Sequence, residues 1–286
     1  MKKNRLALFA ILCSSALWGQ QDVQFTQFAN NKIFYNPGVI GSGDAICLSA
    51  AHRSQWVGFD NAPTTQNFSA NIPISFLHGG LSVNVSNDII GYFQDITAGV
   101  GYGYQMDLAG GVLGLGIRAD FRNKNITTGV WAPPQTMNDP SLVGFGNSSM
   151  ATDLSFGAYY RADNWYTGLS STRLLETKDL IGTVSGGSQA QIRGQRHYYW
   201  MGGYDLDLEN GFVLQPAIMV KSDLVTTQLD LNVAAMYNNQ LYGGVTYRVN
   251  DAFAVMAGYQ LTKDLRATYS YDITTSSLSN SSSGSH

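Results

Sequence analysis

The chain has 286 residues, of which only 13% are charged, with 31 glycines, 16 tyrosines and a net charge of -3 at pH 7. Since about 25% charged residues is usual for a soluble domain, much of the surface is predicted to face something other than water. A mean hydropathy of -0.09 excludes a helical membrane bundle, and the lack of a basic cluster excludes nucleic acid as a partner, because binding phosphates requires concentrated Lys and Arg.

A secretory signal is predicted over residues 1–20. Basic residues within the first five positions precede an apolar stretch over residues 6–18, which is the composition of a signal peptide, and cleavage is expected near Gly19. The protein is therefore expected to be exported. Cys47 is then the only cysteine of the mature chain, so an internal disulfide is excluded and stability must come from hydrogen bonding and burial.

Residues 21–43 are predicted to be extended, with aromatic residues such as Phe25 and Tyr35 set among Gln and Asn. Turns are indicated at residues 36–38 and 41–43 by their Asn, Pro, Gly and Ser content. We predict that this segment is ordered and that it plugs or caps the main body on the periplasmic side. A loose tail is the alternative.

Residues 44–286 form a series of alternating segments of about ten residues each. Between residues 113 and 121, for example, Leu, Ile, Ala and Phe alternate with Gly, Arg and Asp. Such alternation over many strands is typical of a transmembrane antiparallel β-barrel with an apolar outside and a polar interior. A soluble β-sandwich or barrel also alternates, but its outward face would consist of Ser, Asn, Gln and Gly. The predicted strands cover residues 44–57, 64–73, 79–87, 93–106, 110–124, 150–161, 164–174, 193–208, 211–222, 226–238, 240–249, 251–261 and 263–274.

The connections between these strands differ in length according to their position. Tight connections follow even-numbered strands, whereas the long ones, residues 125–149, 175–192 and 275–286, follow odd-numbered strands. Outer-membrane barrels have short periplasmic turns and long extracellular loops. The pattern therefore predicts the cell outer membrane as the location, with the N-terminal segment starting in the periplasm.

No constellation for catalysis or for a cofactor is found. The four histidines have no metal-ligand spacing, and there is no nucleophile elbow or phosphate-binding loop. We therefore expect no cofactor, no metal and no enzymatic activity. Inward charges are predicted to form a structural ion-pair network, with a channel or a catalytic cluster as the alternative. These charges are Arg118, Asp120, Arg122, Asp153, Arg161, Asp205, Asp207, Asp230, Arg248, Arg266 and Asp272.

Several short motifs follow one another in a colinear order. They are residues 21–28 (QDVQFTQF), Asn36-Pro37-Gly38 with Gly41, residues 53–59 (RSQWVGF), residues 62–65 (APTT), Tyr271-Asp272 and Gly284-Ser285-His286. Together they resemble the PorP/SprF family of Bacteroidetes. The resemblance implies a non-enzymatic outer-membrane component of the type IX protein secretion system that supports export or surface attachment of proteins, including gliding adhesins. It implies outer-membrane lipid, other secretion components and exported proteins with a C-terminal sorting domain as partners. A passive or substrate-specific outer-membrane pore is the alternative function.

The resemblance also marks individual positions, for which a structural role or a partner contact is expected. For Arg53, Gln55 and Trp56, contacts that fix the N-terminal segment to the barrel are favoured over partner contacts. Gly38 is a mild departure, because the family usually has Ala after Asn-Pro. The matching positions are Asn36, Pro37, Gly41, Arg53, Gln55, Trp56, Ala62 and Pro63.

The C-terminal end of the sequence leads to an expectation about the number of strands. In the family the pattern continues past Gly-Ser-His with a final apolar strand, whereas this sequence stops at His286. Single-chain bacterial barrels have an even number of strands, here about 14 in the full family pattern. We therefore expect that the last strand is missing, that about 13 are present, and that the strand over residues 44–56 has one unpaired edge.

Overall fold

The computed structural model describes residues 22–126, 148–183, 189–208, 210–276 and 282–286. The predicted signal over residues 1–20 and most of the predicted connection 125–149 lie outside these ranges. Within them, no helix is both long enough and apolar enough to cross a bilayer.

Strands account for most of the described residues. A single helical turn, α1 (Lys32–Tyr35), and 3-10 turns at Phe28–Asn30, Pro37–Val39 and Ser75–Leu77 complete the secondary structure. The strands are β1 (Cys47–Ser54), β2 (Thr64–Ile74), β3 (Gly79–Ile90), β4 (Phe93–Leu108), β5 (Gly111–Ile126), β6 (Ser148–Arg161), β7 (Trp165–Thr172), β8 (Lys178–Thr183), β9 (Gln189–Arg193), β10 (His197–Tyr204), β11 (Leu206–Leu208), β12 (Phe212–Ser222), β13 (Thr227–Tyr237), β14 (Leu241–Arg248), β15 (Ala252–Thr262) and β16 (Leu265–Thr274).

Among the described residues, 14 strands form one large antiparallel sheet, in the order β1-β2-β3-β4-β5-β6-β7-β10-β12-β13-β14-β15-β16, with the short β11 beside β12. Every pairing is antiparallel, for instance Val83 opposite Val100 and Ile117 opposite Phe156. The predicted all-β antiparallel fold is confirmed. Each predicted strand corresponds to one member of this path, because the period-two pattern locates strands wherever one face is buried.

Three local predictions were wrong. The connection over residues 175–192 is not simply a loop, because β8 and β9 pair there as a separate two-stranded hairpin. The single strand predicted over residues 193–208 is interrupted between β10 and β11. The segment over residues 21–43 was predicted to be extended, but it contains α1 and two 3-10 turns. Helical pieces of three or four residues are too short to produce a 3.6-residue period.

The two faces of the sheet differ in polarity. On β3, Leu81, Val83 and Val85 are exposed, whereas the intervening Ser82, Asn84 and Ser86 are buried. The same division recurs on β5 and β6, where Arg118, Asp120, Asp153 and Ser155 are buried and Ile117, Phe121 and Phe156 are exposed. The apolar face of such a sheet is suited to contact with lipid, and its polar face is suited to line the lumen of a barrel.

The ends of the sheet come together at one side. Arg53 of β1 contacts Asp272 of β16 with an N–O distance of 2.7 Å, although these strands stand at opposite ends of the path. The residues Ser283–His286 lie between them, since the Ser54 amide donates to the His286 carbonyl (2.6 Å) and the Asp272 amide donates to the Ser285 carbonyl (2.7 Å). The sheet therefore curls into a barrel whose polar face points inward.

The first strand keeps the unpaired edge that was expected. Within the described ranges, no backbone hydrogen bond joins Cys47–Arg53 to β16, and only the end of β1 and the residues just after it meet the segment Ser283–His286. Backbone hydrogen bonds thus connect the two ends of the sheet only at the end of the barrel that carries the long connections. Elsewhere, no backbone hydrogen bond between described residues joins β1 to β16.

Candidate functional site

A segment of the chain lies inside the barrel. We call residues 22–43 the lumen segment, because its buried side chains contact the inward faces of the strands. It begins at Asp22, which is bonded to Arg173 immediately after β7, at the long-loop end. It ends near Gly41, which is packed against Gly80 at the start of β3, at the short-turn end. The lumen segment therefore runs along the barrel interior from the long-loop end to the short-turn end, so its first described residue does not lie at the short-turn end, where the segment was predicted to start.

At the long-loop end, the lumen segment is attached through a carboxylate. Asp22 accepts hydrogen bonds from Arg173 Nη2 (2.7 Å) and from the Tyr199 hydroxyl (3.0 Å). Burial alone would raise the pKa of Asp22, but the charges of Arg173 and His197 and the Tyr199 hydrogen bond more than offset it and lower that pKa to about 2. Asp22 is therefore ionised at neutral pH.

A second attachment joins the lumen segment to both ends of the sheet. Thr26 Oγ1 donates to Asp272 (2.7 Å) and accepts from Arg53 Nη1 (2.6 Å), while Arg53 Nη2 donates to Asp272 (2.7 Å). Arg248 lies 3.5 Å from the same carboxylate and 3.4 Å from Asp230. These buried charges form the predicted kind of inward ion-pair network, in which each ion is compensated by a neighbour.

Between the attachments, the lumen segment packs through aromatic side chains. Phe25, Phe28 and Tyr35 form an apolar cluster with residues on the inner faces of β10 and β12, including Met201 and Met219. The Phe25 amide donates to the Tyr35 hydroxyl at 2.8 Å, which satisfies a buried backbone donor. Burial raises the pKa of Tyr35, so the hydroxyl remains protonated.

At the short-turn end, the Asn-Pro-Gly motif fits tightly against the wall. Asn36 is fully buried; its Oδ1 accepts from the Gly38 amide (2.8 Å) and its Nδ2 donates to the Ala158 carbonyl (3.0 Å). Pro37 begins the 3-10 turn, where its missing N–H costs nothing. A Cβ at position 38 would lie 2.7 Å from the Tyr159 amide nitrogen, so glycine permits this close approach.

Two features of the structure require a glycine at position 41, near the end of the lumen segment. Its φ of +78° lies in the left-handed region, and an added Cβ would collide with the backbone of Gly80. The Gly41 amide donates to Asn71 Oδ1 at 2.8 Å, and the Asn71 side chain also contacts the Val39 and Ser42 carbonyls. The turn at the exit from the lumen is thus fixed by one side chain of β2.

The second group of motif residues lies at the opposite end, in the connection between β1 and β2. The Gln55 amide donates to the Pro63 carbonyl (2.9 Å), and the Trp56 amide donates to Ser285 Oγ (3.0 Å). Ala62 is half-buried in the same connection. Arg53, Gln55, Trp56, Ala62 and Pro63 are therefore brought together, whereas Asn36, Pro37 and Gly41 form a separate group.

Nearly the whole chain matches one known protein family. The family described as type IX secretion system membrane protein PorP/SprF matches residues 18–286, nearly the whole chain. The chain belongs to the PorP/SprF family. Its members are membrane components of the type IX secretion system. A search of the curated proteins gives no match.

In this PorP/SprF protein, a cavity of about 710 Å³ lies at the long-loop end of the lumen. Charged side chains of both signs line it, among them Asp22, Asp88, Arg122, Arg173 and Asp251. The lining of the cavity therefore contains both cations and anions. No group of three or more His, Cys, Asp or Glu side chains suited to a metal ion occurs in the part of the chain that the structure describes.

Three residues of the PorP/SprF site were not singled out from the sequence. Asp22, Thr26 and Tyr199 attach the lumen segment, but each lies far along the chain from its partner. Asp22 and Thr26 belong to the motif at residues 21–28, so the resemblance covered them without assigning a role. Asp272 was among the predicted inward charges, and the structure identifies it as the carboxylate next to Arg53.

Proposed function

We propose that this PorP/SprF protein is a non-enzymatic outer-membrane component of the type IX secretion system that supports export or surface attachment of proteins, such as gliding adhesins. Family membership supports the role in secretion. The exposed apolar face of the sheet, with residues such as Leu48, Val100 and Phe121, supports direct contact with outer-membrane lipid.

One observation favours a scaffold over an open pore: the lumen segment lies inside the barrel. Its position is held by the buried ions Arg53 and Asp272, by the half-buried Asp22 and by the aromatic cluster around Tyr35. Removing one member of a buried ion pair costs about 3–5 kcal/mol, so the segment is not expected to leave the lumen spontaneously. A passive or substrate-specific pore would require the lumen segment to move.

The long-loop end is the proposed site of contact with partners. Long loops of outer-membrane barrels are extracellular, and loops on a rigid barrel are common places for binding. This end carries Trp56, the hairpin of β8 and β9, and the exposed Leu224 and Val225 between β12 and β13. The partners we propose are other secretion components and exported proteins with a C-terminal sorting domain.

The proposal is tested by deletion and by conductance together. Deletion of the gene should abolish secretion or surface attachment of a set of exported proteins, measured by surface proteomics. Wild-type protein and Asp264→Ala, a change in an exposed turn, should both restore it. The purified protein should give no steady conductance in planar bilayers. Steady single-channel steps with unchanged surface proteins in the deletion strain would support the pore and overturn the proposal.

A further inference from the structure

The cavity at the long-loop end of the lumen has carboxylates that no neighbouring cation compensates. Every Lys and Arg on its wall forms an ion pair with an Asp. Asp88 and Asp153 line the same wall, but no cation among the described residues forms an ion pair with either of them. The residues after position 20 that lie outside the described ranges contain no Lys, Arg or His, so they cannot supply one. Asp88 and Asp153 therefore leave a surplus of negative charge on the cavity wall.

Asp153 is buried with only one of its carboxylate oxygens hydrogen-bonded. Its Oδ1 accepts from the Leu154 amide (2.8 Å) and from the Leu175 amide (2.9 Å). Its Oδ2 has no hydrogen-bond partner, although the residue is only 3% exposed. An unpaired buried acceptor is costly, and more so when it is charged. A cationic ligand in the cavity would therefore lower the free energy of the folded protein.

Asp88 lies directly opposite another carboxylate. The pairing of β3 with β4 places it against Asp95, and both residues line the cavity. Like charges that face each other across an antiparallel pair are destabilising. Asp95 is compensated by Lys124 (3.5 Å) and Arg122 (3.8 Å), whereas the Thr65 hydroxyl (2.5 Å) is the side-chain donor to Asp88. A cation held between Asp88 and Asp95 would remove this repulsion.

An apolar row of side chains lies next to this pair of carboxylates, on the side of the long connections. Ile90 is paired with Phe93, and Phe93 is paired with Ile126. Ile90 is two residues from Asp88 and Phe93 is two residues from Asp95, so they share the inward face. Both line the cavity, yet they are 50% and 37% exposed. Because the lumen of an outer-membrane barrel is usually polar, these exposed apolar side chains indicate contact with an apolar part of a ligand.

A primary ammonium group fits this place better than a metal ion does. Calcium takes about six to eight oxygen ligands, and the described residues contain no group of three or more side chains suited to a metal. An ammonium group has three N–H donors. Each carboxylate can accept several hydrogen bonds, so Asp88 and Asp95 can share one ammonium group.

We propose that the cavity binds a primary ammonium group on a short carbon chain, as a lysine side chain or a free alkylamine provides. The ammonium group lies between Asp88 and Asp95, and the carbon chain lies along Ile90 and Phe93. Positions two residues apart on a strand are about 6.8 Å apart, a distance that a chain of roughly four methylene groups spans. We call these four residues the ammonium site. Its binding is measured on the purified protein, so it does not depend on the proposed role in secretion.

Calorimetric titration of the full-length mature protein in a nonionic detergent tests the ammonium site. The probe is N-acetyl-lysine N-methylamide, in which the side chain carries the only charge. The norleucine derivative has the same carbon chain without the ammonium group and should bind about ten-fold more weakly, as expected for losing a hydrogen bond to a charged group. The diaminobutyrate derivative keeps the ammonium group but lacks two methylene groups, and it should also bind about ten-fold more weakly.

Three Asp→Asn variants locate the ligand. Asp88→Asn should weaken binding of the lysine derivative about ten-fold, and it should not lower the denaturation midpoint, because it removes a repulsion between like charges. Asp153→Asn removes the other surplus charge two strands away from β4, where it acts only over a distance, and should weaken binding about three-fold. Asp264→Asn, in an exposed turn, should leave the affinity unchanged.

Pentylamine distinguishes the two sources, because it has the same ammonium chain without peptide groups. Tighter binding of the lysine derivative identifies a polypeptide as the source, and tighter binding of pentylamine identifies a free amine. Equal affinities of the lysine and norleucine derivatives would overturn the proposal, as would an unchanged affinity in Asp88→Asn. A larger loss in Asp153→Asn than in Asp88→Asn would also overturn it. So would displacement of the lysine derivative by an equimolar amount of calcium, which would assign the carboxylates to a metal ion.

Discussion

At the long-loop end of the barrel the lumen segment is held by ionised side chains, whereas at the short-turn end it is held by close backbone packing. Asp22 and Thr26 bind the wall through Arg173, Arg53 and Asp272. Gly38 and Gly41 instead approach the wall so closely that a methyl group would not fit. The strength of the first kind of attachment depends on pH and on nearby charges. The strength of the second kind depends only on how closely the backbone fits against the wall.

This difference suggests separate tasks for the two ends. Close packing against β3 to β6 makes the short-turn end a permanent part of the wall. The charged end lies beside the cavity and the proposed extracellular loops, where a partner or a change of ionisation can reach it. If the lumen segment ever moves, we predict that it is released from the Asp22 end first.

The largest effect is expected from Asp272→Ala. It removes the carboxylate that compensates Arg53 and Arg248, and leaving buried charges unpaired costs about 3–5 kcal/mol. The free energy of unfolding, measured by denaturant titration in detergent, should fall by that amount. Asp264→Ala is the matched control, because its ion pair with Lys263 is exposed, and it should change stability by less than about 0.5 kcal/mol. Equal effects of the two changes would contradict the role of the network.

Gly41→Ala tests the packed end. The added methyl group meets both the unfavourable φ of +78° and the Gly80 backbone, so we expect a loss of about 2–3 kcal/mol from overpacking and strain. Gly43→Ala separates the two causes, because Gly43 has a φ of +109° but no atom within 4 Å of an added Cβ. It should cost less. If both variants lose the same stability, backbone conformation and not close approach fixes this end.

The strands of the barrel could be predicted from the sequence far better than the contacts of the lumen segment inside it. Alternation is local: Leu113 to Phe121 shows by itself which side chains share a face, so the strand path could be predicted. The contacts of the lumen segment join residues more than 100 positions apart, such as Asp22 with Arg173, and no local pattern specifies them. Arg53 could be predicted to need a carboxylate, but several inward Asp residues were available. The hairpin of β8 and β9 was missed because KDLIGT and QAQIR alternate too weakly.

Acidification should release the charged end selectively. The pKa of Asp22 is lowered to about 2 in the folded protein from a usual value of 3.8, so its contribution is present above pH 3.8 and is lost as pH falls through about 2. The shift corresponds to about 2 kcal/mol. Proteolysis by pepsin with peptide mapping should show cleavage near residue 25 increasing between pH 4 and pH 2, before cleavage near residue 40.

Asp22→Asn is the control for this pH dependence. It keeps the shape of the side chain but removes the titrating group, so cleavage near residue 25 should already be high at pH 4 and should change little below it. If the wild-type and Asp22→Asn proteins show the same pH profile, other carboxylates control the release.

The smallest effect is expected between the two ends, at Tyr35. Tyr35→Phe keeps the ring in the aromatic cluster but removes the hydroxyl that accepts from the Phe25 amide. The loss of one buried neutral hydrogen bond should lower the free energy of unfolding by about 1 kcal/mol. Tyr204→Phe makes the same chemical change at an exposed hydroxyl bonded to Asn164, where water replaces the partner, and stability should stay nearly constant. An equal loss at both positions would mean that the lumen segment does not depend on this hydrogen bond, and that the aromatic packing alone joins its charged end to its packed end.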